Sequence, residues 1–378
     1  MKKNDKLFLD LIRVSIGVSD SLLSTPTAED WESIFRTSQK QALVGICFNG
    51  LQKLSLNKKR NQIANLPLQL KMRWLAIALK IQKRNEFMND MCVKIQTIIH
   101  EKGYRTCIIK GQSAAALYHS LRENDNNTEL STLRQSGDID IWIEGGRKKV
   151  LNLVNSIAPT REIRETHACL AIIPELEIEA HYRPGLIRDF RRNRRLQRYF
   201  QDRAKECFTS KVYINDKHCI VAPTIEFHAV QQLLHIYHHL FDGGIGLRQI
   251  MDYFFVLLRL SPDKHESIMD TFLQLGVGRF VAALMYVQQK IFGLEDRCLL
   301  CEPNINDGKY LLNEILEGGN FGNFDKRSKK RKHKLFFYSF FDTYRKNLQN
   351  LRFAPMEWFF SPLWRIYYFL WRKLNGYN

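Results

Sequence analysis

A turn at Ser136-Gly137 runs directly into Asp138-Ile139-Asp140-Ile141-Trp142-Ile143, and this stretch restricts the fold more than any other part of the chain. Its residues alternate with a period of two, the mark of a strand, so Ile139, Ile141 and Ile143 share one face while Asp138 and Asp140 share the other. One face is apolar and the other carries two carboxylates. Paired carboxylates supply the hard oxygen ligands that Mg²⁺ prefers, and such sites are commonly completed by substrate phosphates. The pattern points to phosphoryl or nucleotidyl transfer. An Asp-x-Asp alone also fits a surface turn or a metal-dependent glycosyltransferase, so its neighbours decide.

Upstream, residues 105–110 read as a strand that ends in Lys110, and Gly111 then opens a helical run over 112–118. A glycine at a strand-to-helix junction lets backbone approach a ligand closely, and the free N–H groups of a helix start favour phosphate. Downstream, Leu176-Glu177-Ile178-Glu179-Ala180-His181 alternates again and sets Glu177 and Glu179 on one face. A third carboxylate on a neighbouring strand would complete the site.

A strand and Lys110-Gly111 ahead of a helix, then Arg134-x-Ser136-Gly137-Asp138-x-Asp140, then Glu179-x-His181, resembles the bacterial nucleotidyltransferase family within the DNA polymerase β-like superfold. Gly111 matches the first of the superfold's two glycines. Gln112 departs from the pattern, standing where glycine or serine is usual, with Ser113 one place later. The interval from Gly111 to Asp138 is long, and the excess looks like a polar surface insertion at 122–128. The resemblance implies an α+β fold, with a small mixed β-sheet nucleotidyltransferase core at 101–183. Helical regions at 1–100 and 184–317 flank it, followed by a basic and aromatic C-terminal segment at 318–378. It implies an enzyme that uses Mg²⁺ (or Mn²⁺) to move a nucleoside monophosphate from ATP or another nucleoside triphosphate to an acceptor, releasing pyrophosphate. The acceptor is left open among sugar, protein and RNA; members are bacterial and often associated with surface polysaccharide biosynthesis. Asp138, Asp140 and Glu179 would be catalytic and metal-holding, with Glu179 also deprotonating the acceptor and Glu177 in reserve. Lys110, Gly111, Ser113, Arg134 and Gly137 would bind nucleotide. Lys110 reads equally as a strand-end lysine in solvent, Arg134 as the partner of an acid, and His181 as either a core or a catalytic histidine. Three acids this close repel one another, so the site is expected to be strained without a cation.

The 378 residues, 45% of them hydrophobic, suffice for a sizeable core. Asp5, Asp10 and Arg13 interrupt the first apolar pattern, which excludes a signal peptide or span there and leads to an expected cytoplasmic location. Eight cysteines without a framework spacing agree with a reducing compartment, and the close pair Cys298 and Cys301 lacks the two further ligands of a zinc site. Helices are expected over 7–12, 31–35 and 68–99, with Thr27 or Ser24 capping the second, and over about 147–156; strands are expected around 169–173 and 177–179. His235 and His239 stand one helical turn apart, a zinc-compatible spacing without the glutamate of a zinc protease. Arg248 and Asp252, four apart, pair with each other unless their helix faces the cleft. The net charge of +18, with basic runs at 188–198 and 326–334, attracts polyanions: nucleic acid, anionic lipid or phosphorylated substrate. The aromatic and basic residues 353–378 would dock on their own domain or a second copy, or lie on the anionic inner face of a membrane. These features leave an alternative open, a nucleotidyltransferase-fold protein without turnover that holds nucleic acid or membrane through its basic runs.

Overall fold

The computed structural model describes residues 2–57, 61–121, 130–158, 160, 162–173, 175–242, 244–320, 348 and 350–374; the 122–128 insertion and the 326–334 basic run lie outside them. Four helices come first: α1 (Lys3–Ile16), α2 (Ala28–Lys40), α3 (Val44–Leu56) and α4 (Leu68–Glu101). Of the two candidate caps, Thr27 starts α2. Its hydroxyl accepts from the Asp30 N–H at 3.2 Å and the Asp30 carboxylate accepts from the Thr27 N–H at 3.0 Å, a reciprocal cap.

The central sheet is mixed and small. It contains β1 (Thr106–Ile108), β2 (Ile139–Ile143), β3 (His167–Cys169) and β4 (Ile178–His181), in the order β1-β2-β4-β3. The central pair β2/β4 is parallel and both outer pairings are antiparallel. A short α5 (Gln112–Ala115) follows β1, and α6 (Gly146–Ile157) supplies a crossover between the parallel strands. Two expectations are corrected. The strand expected around 169–173 lies earlier, at His167–Cys169, because its bridging partners are Ile163 and β4, while the chain bends away after Leu170. The helix expected over 112–118 is a single turn, closed by three-residue bonds from Leu117 and Tyr118 as the chain leaves it.

The isoleucine face of β2 is almost completely buried and packs on Met88, Cys92 and Ile95 of α4 and on Val150 and Val154 of α6. The opposite face carries Asp140 and Trp142, and Trp142 meets Phe208 and Phe227 at ring-centroid separations of 4.5 and 5.5 Å. Those rings belong to the second helical layer: α7 (Phe190–Cys207) with the Phe208 that caps it, α8 (Ile225–Asp242), α9 (Leu247–Arg259), α10 (His265–Leu275), α11 (Gly278–Phe292) and α12 (Ile305–Gly318). Beside α4 and β1 lies a hairpin that periodicity did not reveal, β5 (Lys211–Tyr213) and β6 (Cys219–Val221). The Asn215 side chain closes its turn by accepting from the Lys217 and His218 N–H groups at 3.0 and 2.8 Å. Helices that precede and follow the sheet in the chain share one core, in which Phe8 and Trp31 join Phe254 and Phe280, while the isoleucine face of the sheet has a core of its own. A last helix, α13 (Pro355–Leu374), lies against the N-terminus of α7 and against α6.

Candidate active site

Sheet register assembles the site. Asp140 and Glu179 are partners across the parallel pair β2/β4, and His167 and His181 are partners across the antiparallel pair β3/β4. Residues opposite each other on a ladder project from the same face, so two carboxylates and two imidazoles rise from one patch of sheet. Asp138, two residues before Asp140, completes a carboxylate triad whose oxygens lie within 4.8 Å of one another. Glu177 is exposed and belongs to no such cluster among the described residues, so Glu179 is the third acid.

The patch floors a cavity of about 350 Å³ whose opposite wall is formed by α8 and α9, including His235, His239, Arg248 and Asp252. Lys110 and Gly111 line its edge. Gly111 has φ +66°, in the left-handed region, and a Cβ there would come 3.3 Å from the Asp138 carbonyl oxygen. This conformation turns Lys110 toward the acids, where its ammonium is ion-paired with Asp140. Lys110 is thus no solvent lysine. Burial works against its charge, but Asp140, Glu179 and Asp138 outweigh burial and raise its pKa.

His181 is buried and Nε2 sits between two carboxylates, 2.9 Å from Asp140 Oδ1 and 3.0 Å from Glu179 Oε2. Its Nδ1 lies 3.2 Å from the Arg183 carbonyl oxygen, which can only accept, so Nδ1 carries a hydrogen. Burial disfavours a second proton, yet the hydrogen bonds to Asp140 and Glu179 prevail and raise the His181 pKa. Burial also raises Glu179, but the His181 hydrogen bond and the nearby Lys110 charge pull it down to about 2. Lys110 and His181 thus both stand among the three acids, where each offsets part of their mutual repulsion. His167, which the sequence reading missed, places Nε2 3.3 Å from Glu179 Oε1; burial, with His181 and Lys110 nearby, pushes its pKa down to about 3.

A second ring of charge holds the approach to Asp138. Arg134 donates from Nε and Nη2 to the two oxygens of Asp252 on α9 at 2.6 and 2.7 Å, and the Tyr118 hydroxyl donates to the same carboxylate at 2.7 Å. Arg248 Nη1 donates to the Gln135 carbonyl at 2.9 Å. Of the two readings of Arg134, the structure provides the acid partner. It also shows that the Arg248 and Asp252 helix faces the cleft. Gly137 lines the cavity. Ser113 does not; its hydroxyl donates to the Lys110 carbonyl at 3.3 Å, and the neighbouring Gln112 side chain is buried against Asn89. His235 and His239 share a hydrogen bond of 3.1 Å between their Nε2 atoms and, among the described residues, join no metal-binding cluster; nor do Cys298 and Cys301.

A small mixed sheet with three acids on two parallel strands, flanked by helices on both sides, defines a nucleotidyltransferase core. The chain belongs to the Uncharacterised nucleotidyltransferase family, which it matches over residues 27–293. The matched span runs from the Thr27 cap through α11, so it takes in helices of both layers as well as the sheet. No curated protein and no solved structure matches the chain.

Proposed function

We propose that this protein transfers a nucleoside monophosphate from a nucleoside triphosphate to an acceptor, with pyrophosphate as the leaving group. The observation that carries the reading is the convergence of Asp138, Asp140 and Glu179, three hard oxygen donors within 4.8 Å, at the floor of a cavity edged by Lys110 and Gly111. That donor set fits Mg²⁺ or Mn²⁺. A bound divalent cation offsets charge developing on the phosphoryl oxygens and orients the attacking and leaving oxygens. Asp138, just before β2, and Asp140 on β2 would hold it together with Glu179 from β4. Glu179 would join in holding the cation and help to take the acceptor's proton. Lys110, at the edge of the cavity, would meet the triphosphate. Arg134 acts one step away, through its clamp on Asp252, by fixing the 134–137 segment that leads into Asp138.

The test is incubation of the purified protein with labelled nucleoside triphosphates, Mg²⁺ or Mn²⁺, and fractionated cell extract. Pyrophosphate release and label in a sugar, protein or RNA fraction are expected. The Asp138→Asn, Asp140→Asn double variant should lose about a hundredfold or more of the rate. Equal labelling by that variant would sink the proposal.

Among the described residues no helix is long and apolar enough to cross a membrane. The outer side of α13 nevertheless carries a stripe at helical spacing, Phe359, Ile366, Leu370 and Leu374, each more than half exposed. Its inner side is occupied: the Glu357 carboxylate accepts from the Arg188 N–H at 2.6 Å, Trp364 packs on Phe190, and Arg147 lies over the Trp371 ring. α7, whose Phe190 packs on Phe360 and Trp364, carries exposed Arg191, Arg194, Arg195 and Arg198, and the 326–334 basic run precedes α13 in the chain. Apolar side chains bordered by cations fit the surface of an anionic bilayer, which is the occupant assigned to this face.

A further inference from the structure

We propose that His167, His181 and Glu179 form a second metal position beside the carboxylate triad, one that takes a first-row divalent ion from Mn²⁺ to Zn²⁺ in preference to Mg²⁺. The inference deepens the transferase reading, on which it rests for the shared use of Glu179. Its basis is geometric. The ring nitrogens of His167 and His181 and the Glu179 carboxylate lie within 4.8 Å of one another, and the two histidines approach different oxygens of that carboxylate, Oε1 and Oε2. Glu179 therefore belongs to both clusters and bridges them.

The groups behind the imidazoles supply an independent observation. A histidine that ligates a metal through one nitrogen donates from the other to a carbonyl, hydroxyl or carboxylate, which sets its tautomer and aims its lone pair. His181 has this arrangement: Nδ1 donates to the Arg183 carbonyl at 3.2 Å, which leaves Nε2 directed between Asp140 and Glu179. His167 has the equivalent, with Nδ1 3.2 Å from the Thr166 hydroxyl, a group that accepts from Nδ1–H as readily as it donates. Both rings are thus oriented from behind, with Nε2 facing the same carboxylate. Two imidazoles and one carboxylate form a donor set that suits Mn²⁺, Fe²⁺ or Zn²⁺, whereas Mg²⁺ favours oxygen alone. The triad offers three carboxylates and no nitrogen, so the two positions differ in the ions they prefer. Asp140 and Glu179 occupy neighbouring strands at the same register level, which keeps the two positions side by side.

The experiment uses the full chain, stripped by chelator and titrated with Mn²⁺ alone, in nitrogen-free buffer and without nucleotide. Loss of the free-ion electron paramagnetic resonance signal reports binding, and pulsed measurements report nitrogen-14 coupling to the bound ion. The wild type is expected to show that coupling. It should weaken in His167→Ala and vanish in His167→Ala, His181→Ala, which should also bind Mn²⁺ at least about tenfold more weakly. Failure of the wild type to bind Mn²⁺, bound Mn²⁺ with oxygen ligands only, or coupling that survives in the folded double variant would overturn the proposal. The wild-type spectrum decides by itself should the variants not fold. Nitrogen ligation in a protein that transfers no nucleotide would remove the transferase reading and keep the metal position; all-oxygen ligation in an active enzyme would do the reverse.

Discussion

At the residue scale, nitrogen groups around Asp140 balance part of the charge of three acids that share one patch. Lys110 and His181 are both directed at Asp140 Oδ1, and His181 also bonds Glu179. Linkage makes the pair visible in stability against pH. Glu179 is depressed from 4.5 to about 2, so its contribution is present above 4.5 and is lost as pH falls toward 2. His181 is raised from 6.5, so its contribution is present below 6.5 and is lost as pH rises through its folded value. The metal-free wild type should exceed His181→Gln in unfolding free energy by the widest margin between about pH 4.5 and 6.5, with the gap narrowing on either side. Urea unfolding of both proteins across that range, with chelator present, measures it. A gap that grows as pH rises toward 6.5 and stays level above it would show that His181 is neutral in the folded state.

At the element scale, α13 shows how one helix serves two surroundings. Its inner residues are fixed by contacts to α6, to α7 and to the segment before β3, where the Tyr368 hydroxyl donates to the Ile163 carbonyl at 2.9 Å. The outer stripe contributes nothing to that docking. Placing charge on the stripe, as in Phe359→Glu with Ile366→Glu, should therefore leave folding free energy within about 0.5 kcal/mol of wild type, as for exposed positions generally. The same pair should remove most co-sedimentation with vesicles rich in anionic lipid, because burial of apolar side chains is lost and two repelling charges are added. Wild-type binding should weaken steeply with salt, since cations supply the electrostatic share of the attraction. A wild type that ignores such vesicles and instead self-associates, with the variant monomeric, would assign the stripe to a second copy of the chain.

At the scale of the whole molecule, the sheet depends on both helical layers. Trp142 reaches the second layer through Phe208 and Phe227, the isoleucine face of β2 requires Met88, Cys92 and Ile95 of α4, and the Arg134 clamp ends on Asp252 of α9. A fragment limited to 101–183 should expose both faces of its sheet and fail to fold. Circular dichroism and limited proteolysis of that fragment, beside the full chain, are expected to show an unstructured peptide against a protected protein. A fragment with a cooperative melt would establish the core as an autonomous domain.

The residues that the chain alone made legible are those whose geometry is local. Asp138 and Asp140 share a face because a strand repeats every two residues, and Glu179 stood out for the same reason on its own strand. Thr27 was readable as a cap because the bond it makes spans three residues. The fold class was legible as well, through the family motifs and the helical periodicity around them. The rest depended on pairing between segments far apart in sequence. His167 carries no local signal: it joins the site because β3 pairs with β4 in one register, and a shift of a single residue would turn it to the other face. That Glu179, already preferred to Glu177, lies opposite Asp140 followed from the register of β4 against β2. Arg134 met Asp252, and Lys110 met Asp140, through the packing of α9 and the turn at Gly111. Periodicity identified which residues face a cleft, while tertiary register determined which of them meet, since the distances that create a site are set between elements rather than within them.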